Sequence, residues 1–183
     1  MKRTVSPHLT PEQVAQVSGL VAQYIRENRE RFSPQAAPLD AAQRAAMAGF
    51  FQPQVLDAAG VLVLRGIRVE NPPFYPMLVG MGFSNLPDFS QMAAVTFSDV
   101  IVAHEPFSDG LLFHELVHAE QYRQLGIPRF SELYVRGFLS GGSYERIPLE
   151  DHAYALGHRF EADPRQGFSV ADEVTTWVRG DRY

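Results

Sequence analysis

The chain of 183 residues contains no cysteine. This absence excludes disulfide bonds, a thiolate-ligated zinc site and a cysteine nucleophile. A chain without cysteine also fits a reducing compartment, although many proteins elsewhere lack cysteine too. Any metal site in this chain must therefore be built from nitrogen and oxygen ligands.

Long apolar runs and strongly basic segments are also missing. No stretch approaches the ~18 apolar residues of a membrane helix, and the basic residues near the N-terminus precede no apolar segment of a signal peptide. The net charge is -5, and no basic run is interleaved with aromatic residues, so we expect neither nucleic acid nor membrane as a partner. The expected location is the cytoplasm, with export by a specialised system left open.

The hydrophobic patterns predict an α+β protein. Two N-terminal helices are expected at residues 10–32 and 40–51, the first beginning at a threonine cap followed by Pro11. They form an N-terminal helical segment, residues 1–54, which is a cap or subdomain. Residues 55–183 are expected to form the metal-binding domain, and the two parts are expected to make one compact unit.

Short β-rich segments follow the N-terminal helices. A strand is predicted at residues 60–69, and residues 93–97 and 100–103 are typical of a tight hairpin or of two consecutive strands at a sheet edge. Residues 71–92, rich in proline, glycine and aromatics, are typical of a long loop. The tail, residues 170–178, has strand-like and polar parts and allows no clear assignment.

Helices are predicted after the hairpin. The first begins at Ser108 or Asp109, which can serve as its N-cap, and ends at Gly126. A second helical piece is expected at residues 131–139. Another helix begins at Pro148, with an apolar stripe on one side.

The first of these helices contains the pattern His114-Glu115-Leu116-Val117-His118. Residues four apart lie on one helix face, so the two imidazoles can bind one metal ion about 2 Å from each. Glu115 lies about 100° around the axis, where it can reach a metal-bound water and act as general base. About 0.013 chance matches are expected in a chain of this composition, so two unrelated histidines are a poor explanation.

Zinc needs a third protein ligand. Astacin-like and matrix-metalloprotease-like enzymes have a glycine and a histidine where this chain has Gln121 and Gln124, so that branch is excluded. The remaining candidates are downstream carboxylates: Glu120, Glu132, Glu145, Glu150 and Asp151. Glu150 is preferred because it lies in the first turn of the helix begun by Pro148, where the helix dipole favours a carboxylate. Glu145 and Asp151 remain open as alternatives.

The pairing of HELVH with the segment Glu150-Asp151-His152-Ala153 resembles the zincin metallopeptidases of the glutamate-ligand (gluzincin) branch. Residues 93–160 are similar, more narrowly, to small bacterial zincin-like domains, some of which accompany toxin or contractile-injection loci. The resemblance implies a short, mostly antiparallel sheet packed on the metal helix and on a second, ligand-bearing helix.

This resemblance also implies roles for individual residues. His114, His118 and Glu150 would bind Zn²⁺, and Glu115 would take a proton from the zinc-bound water and pass it to the leaving amine. The oxyanion would need a hydrogen-bond donor, for which the candidates are Tyr144, Tyr154, His152 and His158. The larger peptidases follow the alanine with an aspartate where this chain has Tyr154, so a carboxylate that orients a histidine would come from Asp99, Asp109 or Asp151.

We therefore expect a zinc-dependent hydrolase, a metallopeptidase acting on a peptide or protein that aligns along residues 93–103. The alternative is a catalytically silent zincin-fold module that binds a metal or a partner, for example within a toxin or secretion assembly. A weaker third interpretation is a hydrolase of non-peptide substrates that uses the same zinc-bound water.

Overall fold

The computed structural model describes residues 7–183, within which the chain forms seven α-helices and four short β-strands. The helices are α1 (Pro11–Phe32), α2 (Ala41–Met47), α3 (Pro53–Ala58), α4 (Tyr75–Gly80), α5 (Asp109–Gly141), α6 (Pro148–Ala162) and α7 (Val170–Arg179). The strands are β1 (Ala37–Pro38), β2 (Gly60–Val63), β3 (Ala94–Phe97) and β4 (Val100–Ala103). The predicted α+β class is confirmed.

The four strands form one sheet in the order β1-β2-β4-β3. β3 and β4 make the predicted antiparallel hairpin, and β1 pairs antiparallel with β2. The central pair, β2 with β4, is parallel. The sheet is therefore mixed, with two antiparallel pairings of three. The link between β2 and β3, which contains α4, places β3 on the far side of β4.

Helix α1 begins as its sequence predicts. Thr10 and Gln13 form a reciprocal capping box, and Pro11 occupies the first turn. The buried face of α1 packs along α5 and against the β3–β4 hairpin. Arg29 binds both carboxylate oxygens of Asp99 in the hairpin turn, at 2.5 and 2.8 Å. The N-terminal helix therefore shares a core with the predicted metal helix.

Helix α5 is longer than predicted. Ser108 caps it, and Gly126 has φ 72° and ψ 159°, a left-handed conformation that favours glycine. The chain returns to helical geometry immediately and continues to Gly141, so Gly126 is a kink within α5. Pro128 is tolerated because it lies in the first turn after that kink, where no intrahelical N–H bond is required.

Two other predictions are wrong. The strand predicted to reach residue 69 stops at Val63, and the predicted loop at residues 71–92 contains the short helix α4. The tail, for which the sequence allowed no clear assignment, is helix α7, whose residues Val170, Ala171 and Val174 are buried on one side. Valine is common in strands, but the spacing of these residues fits a helix that buries one face.

Two apolar clusters fill the interior on opposite sides of β4 and α5. Val100 and Val102 of β4 belong to the cluster under α1, whereas Ile101 belongs to the cluster under α2 and α3. Both faces of this strand are therefore covered. Among residues 7–183, no helix is long and apolar enough to cross a membrane.

Candidate metal centre

Two histidines lie on the side of α5 that faces α6. Their orientation is fixed by the opposite side of the helix, where Phe113, Leu116 and Val117 are fully buried. His114 and His118 are one turn apart, and His118 is only 5% exposed. The predicted face of the helix is thus turned inward, towards the start of α6.

Glu150 lies opposite these histidines, in the first turn of α6. Gly137 of α5 makes this approach possible, because a Cβ atom there would lie 2.6 Å from Pro148 and 3.3 Å from Ile147. Leu149 and Ala153 anchor the same turn in the core. The two helices therefore pack closely enough for Glu150 to reach His114 and His118.

Three ligand atoms converge at this point. The Nε2 atoms of His114 and His118 are 3.2 Å apart. One oxygen of Glu150 lies 3.2 Å from the His118 nitrogen and 3.5 Å from the His114 nitrogen. A tetrahedral site with bonds of about 2.0–2.1 Å has ligand atoms about 3.3 Å apart. The triangle therefore fits a metal ion, and these three residues can hold one.

Gln121 fixes the orientation of His118. Its Nε2 donates to the Leu149 carbonyl at 3.0 Å, which leaves its Oε1 2.8 Å from Nδ1 of His118. An amide oxygen only accepts hydrogen bonds, so Nδ1 of His118 carries a proton. In the neutral imidazole, the lone pair of Nε2 then points at the centre of the ligand triangle.

The ligand triangle requires a positive charge. Burial opposes a charge on His118, but the charge of Glu150, its hydrogen bond and the charge of Glu115 outweigh burial and raise the pKa of His118 to about 9. Burial also opposes the charge on Glu150, and the two histidines outweigh it, so the pKa of this carboxyl lies well below its ordinary range. A proton supplies that charge in the metal-free protein, and a metal ion would compete with this proton.

Glu115 projects towards the β3 strand instead of towards the ligand triangle. It is 5% exposed, and one of its carboxylate oxygens accepts a hydrogen bond of 2.6 Å from the hydroxyl of Thr96. The other oxygen has no hydrogen-bond partner among residues 7–183 and can receive a proton. Glu115 thus lies beside the ligands without occupying a position in the triangle.

The candidate oxyanion donors lie at different places. Tyr144, in a short 3₁₀ turn before α6, lines the spaces on both sides of Glu115. Tyr154 packs its ring 4.5 Å from the His114 ring and is 43% exposed. His158 is exposed on the next turn of α6 and lines one of these spaces together with Tyr144 and Tyr154. His152 faces away, towards Trp177 and Tyr183.

The carboxylates considered as alternatives lie elsewhere. Asp99 binds Arg29 in the hairpin turn, and Asp109 and Asp151 are exposed. Glu145 is exposed in the 3₁₀ turn, and Glu120 is buried against the side chains of Arg123 and Gln124. For His118 the prediction of an orienting carboxylate is wrong, because the neutral amide of Gln121 occupies that position.

Sequence reasoning missed two residues of the site. Gln121 follows His118 by three positions, a spacing at which helical side chains meet, so this contact could have been found. Thr96 gave no local signal because it reaches Glu115 only after the β3–β4 hairpin has packed on α5.

Two spaces adjoin the site. An open cleft of about 390 Å³ runs past His114, Glu115, Tyr154 and His158. A second, largely apolar cavity of about 100 Å³ is bordered by Glu115, His118 and Glu150. Solvent reaches the site through the cleft beside His114.

Comparison with known proteins finds no match: no family model, no curated protein and no solved structure is significantly similar to this chain.

Proposed function

We propose that the chain is a zinc-dependent metallopeptidase with a zincin-like arrangement of its two ligand helices. The observation that carries this proposal is the triangle of His114, His118 and Glu150, with edges of 3.2, 3.2 and 3.5 Å. Two imidazoles and one carboxylate in tetrahedral geometry are a ligand set that suits Zn²⁺. Bound zinc would polarise the substrate carbonyl and acidify a water molecule.

The residues around the triangle have the chemistry that peptide hydrolysis requires. Thr96 fixes Glu115, whose free oxygen accepts a proton from the attacking water and returns it to the leaving amine. Tyr144 lines the open cleft, and its hydroxyl has no protein partner in the described part of the chain, which favours it as donor to the developing oxyanion. Tyr154 and His158 are less favoured because they lie nearer to solvent.

The number of ligands favours catalysis over a purely structural site. Within residues 7–183, the group that converges on one point has three members, and the open cleft passes beside it. Structural zinc sites are usually closed by four protein ligands, whereas catalytic sites keep one position free for water or substrate. The silent metal-binding module is therefore the second candidate.

The decisive experiment combines metal analysis with the Glu115→Gln variant. Protein purified without added metal should contain about one zinc per chain and should hydrolyse some members of a peptide library. Glu115→Gln should keep the metal and lose about 10²–10⁴-fold in kcat, the usual contribution of a general base. Glu132→Gln, an exposed change on the same helix, is the matched control and should leave kcat unchanged.

Two results would contradict the proposal in different ways. A zinc content far below one ion per chain after purification would contradict the proposed metal site. Stoichiometric zinc with no hydrolysis of any peptide would keep the site and favour the silent module.

A further inference from the structure

The side chain of Tyr183 lies next to the amide that orients His118. Its hydroxyl oxygen is 3.4 Å from Nε2 of Gln121 and 2.7 Å from Nδ1 of His152. Gln121 is completely buried, and Tyr183 is half-buried. A residue beyond the last helix therefore reaches the polar groups beside the candidate metal centre.

The end of α7 brings Tyr183 to this position. Asp181 has a φ of 49°, a left-handed conformation. The N–H groups of Asp181 and Arg182 donate to the carbonyls of Val178 and Trp177, at 3.3 and 3.1 Å. These two bonds form a Schellman motif, which ends the helix and turns the chain. The next residue, Tyr183, therefore folds back against α5 and α6.

We propose, on the basis of the metal centre proposed above, that Tyr183 is a positioning residue for that centre. Its hydroxyl holds the Gln121 amide in the orientation that presents Oε1 to His118. Tyr183 contacts neither the metal nor the substrate in this role, and it acts on metal binding through Gln121.

All hydrogen-bonding groups of the Gln121 side chain are used. Its amide has two N–H groups and one oxygen. The Leu149 carbonyl accepts one N–H at 3.0 Å, and the Tyr183 oxygen accepts the other. The amide oxygen accepts from Nδ1 of His118 at 2.8 Å. A flipped amide would place its oxygen against the Leu149 carbonyl and its NH₂ group against the His118 N–H, so both contacts would be lost.

His152 determines which way the Tyr183 hydroxyl points. When Nδ1 of His152 accepts the hydroxyl proton, the lone pairs of the Tyr183 oxygen face Gln121. The opposite tautomer would leave both the hydroxyl proton and Nε2 of His152 without a protein partner among residues 7–183. The proton of His152 therefore lies on Nε2. The four residues then form one chain of hydrogen bonds in which each donates to the next, from His118 through Gln121 and Tyr183 to His152.

The effect of Tyr183 on zinc binding should be smaller than that of Gln121. Residues that contact a ligand directly contribute about 10–100-fold to metal affinity. Tyr183 is one residue further from the metal and contacts Gln121 through a long hydrogen bond of 3.4 Å. Loss of its hydroxyl should therefore reduce zinc affinity by about three- to tenfold.

The test removes single hydroxyl groups. Tyr183→Phe keeps the ring and removes the hydroxyl. Tyr24→Phe, which removes a hydroxyl that donates to the Glu70 carbonyl at 2.6 Å, is the matched control. The readouts are zinc affinity by competition with a chromogenic chelator, exchange of the His118 Nδ1 proton with water by NMR in the metal-free protein, and the midpoint of denaturant unfolding.

In Tyr183→Phe, zinc affinity should fall by about three- to tenfold, and the His118 Nδ1 proton should exchange faster than in the wild-type protein. Tyr24→Phe should lower the unfolding midpoint and leave both of these properties unchanged. His152→Phe removes the acceptor of the Tyr183 hydroxyl proton and should act in the same direction. Because the two residues act through one chain of hydrogen bonds, the double variant should lose less affinity than the two separate losses combined.

Unchanged zinc affinity and unchanged proton exchange in Tyr183→Phe would overturn the positioning role, and so would an equal loss of affinity in Tyr24→Phe. A loss of affinity without faster exchange would also overturn it, because the effect would not pass through Gln121. A wild-type protein that binds no zinc would contradict the proposed function, whereas proton exchange in the metal-free protein would still test the role of Tyr183. The failures of the two proposals are therefore distinguishable.

Discussion

Two almost completely buried histidines, His118 on α5 and His152 on α6, lie in different environments. His118 is 5% exposed and faces Glu150, and its pKa is raised to about 9. His152 is 2% exposed and stacks on Trp177 with ring centroids 3.9 Å apart. Burial, the charge of Arg182 and that of His118 lower the pKa of His152 to about 4. Burial is similar, so the neighbouring charge determines which histidine can carry a positive charge.

The difference separates a candidate metal ligand from a packing residue. His118 directs a nitrogen at two other candidate ligand atoms, whereas His152 uses one nitrogen in a 2.7 Å hydrogen bond with Tyr183, and its other nitrogen is buried without a hydrogen-bond partner among residues 7–183. The two residues Glu150 and His152 are two positions apart on α6 and therefore point to different sides of it. The following predictions separate the metal-binding side from the packing side.

The largest effect is expected from His118→Ala, which removes one of three ligands. Zinc affinity should fall by more than about 100-fold, beyond the effect of losing a residue that only orients a ligand. Metal content after dialysis, or competition with a chromogenic chelator, measures this loss.

His152→Ala is the paired variant for that prediction. It should keep stoichiometric zinc but cost about 2–3 kcal/mol of unfolding free energy, because it removes a buried aromatic contact. Denaturant unfolding measures the cost. Equal zinc loss in both variants would show that the residue on the packing side of α6 affects zinc binding as much as the candidate ligand does.

A smaller effect is expected from Gln121→Leu. Without the amide, Nδ1 of His118 loses its acceptor and the Leu149 carbonyl loses its donor, so zinc affinity should fall by about 10–100-fold. Gln124→Leu changes the next glutamine on α5, which bonds Glu120 and Ala171, and should leave affinity unchanged. Unaltered zinc binding in Gln121→Leu would show that Gln121 does not orient His118 for zinc binding.

The smallest effect concerns the pH dependence of unfolding. For His118 in the metal-free protein, the folded pKa exceeds the ordinary value of 6.5, so its contribution is complete below pH 6.5 and is lost as pH rises towards 9. For His152 the folded pKa is lower than 6.5, so its contribution is complete above pH 6.5 and is lost as pH falls towards 4. Unfolding midpoints from pH 4 to 9 should therefore decline at both ends.

Zinc loading and the His152→Phe variant assign these two declines. Zinc should abolish the high-pH decline, because a ligated His118 cannot bind a proton. His152→Phe should abolish only the low-pH decline. A high-pH decline that persists in the zinc-loaded protein would show that it has another origin.

The cluster of His114, His118 and Glu150 was predictable because its chemistry is local in the chain. The spacing of His114 and His118 fixes a common helix face, and Pro148 fixes Glu150 in a first turn. The fold was predictable in class but not in detail, since valines at residues 170–178 suit either a strand or a helix until the core selects one. Thr96 lay beyond prediction because its contact joins residues 19 positions apart on different elements.

The sequence by itself determined the two-histidine face, the absence of thiolate chemistry and the α+β class, because each follows from residue identity or short-range periodicity. The tertiary structure alone decided that Gly137 lets α6 approach α5, that Gln121 orients His118, and that residues 72–92 border an apolar cavity beside Glu115. These features depend on distances between segments remote in the chain. Such distances are set by packing the whole core, and no short stretch of residues encodes them.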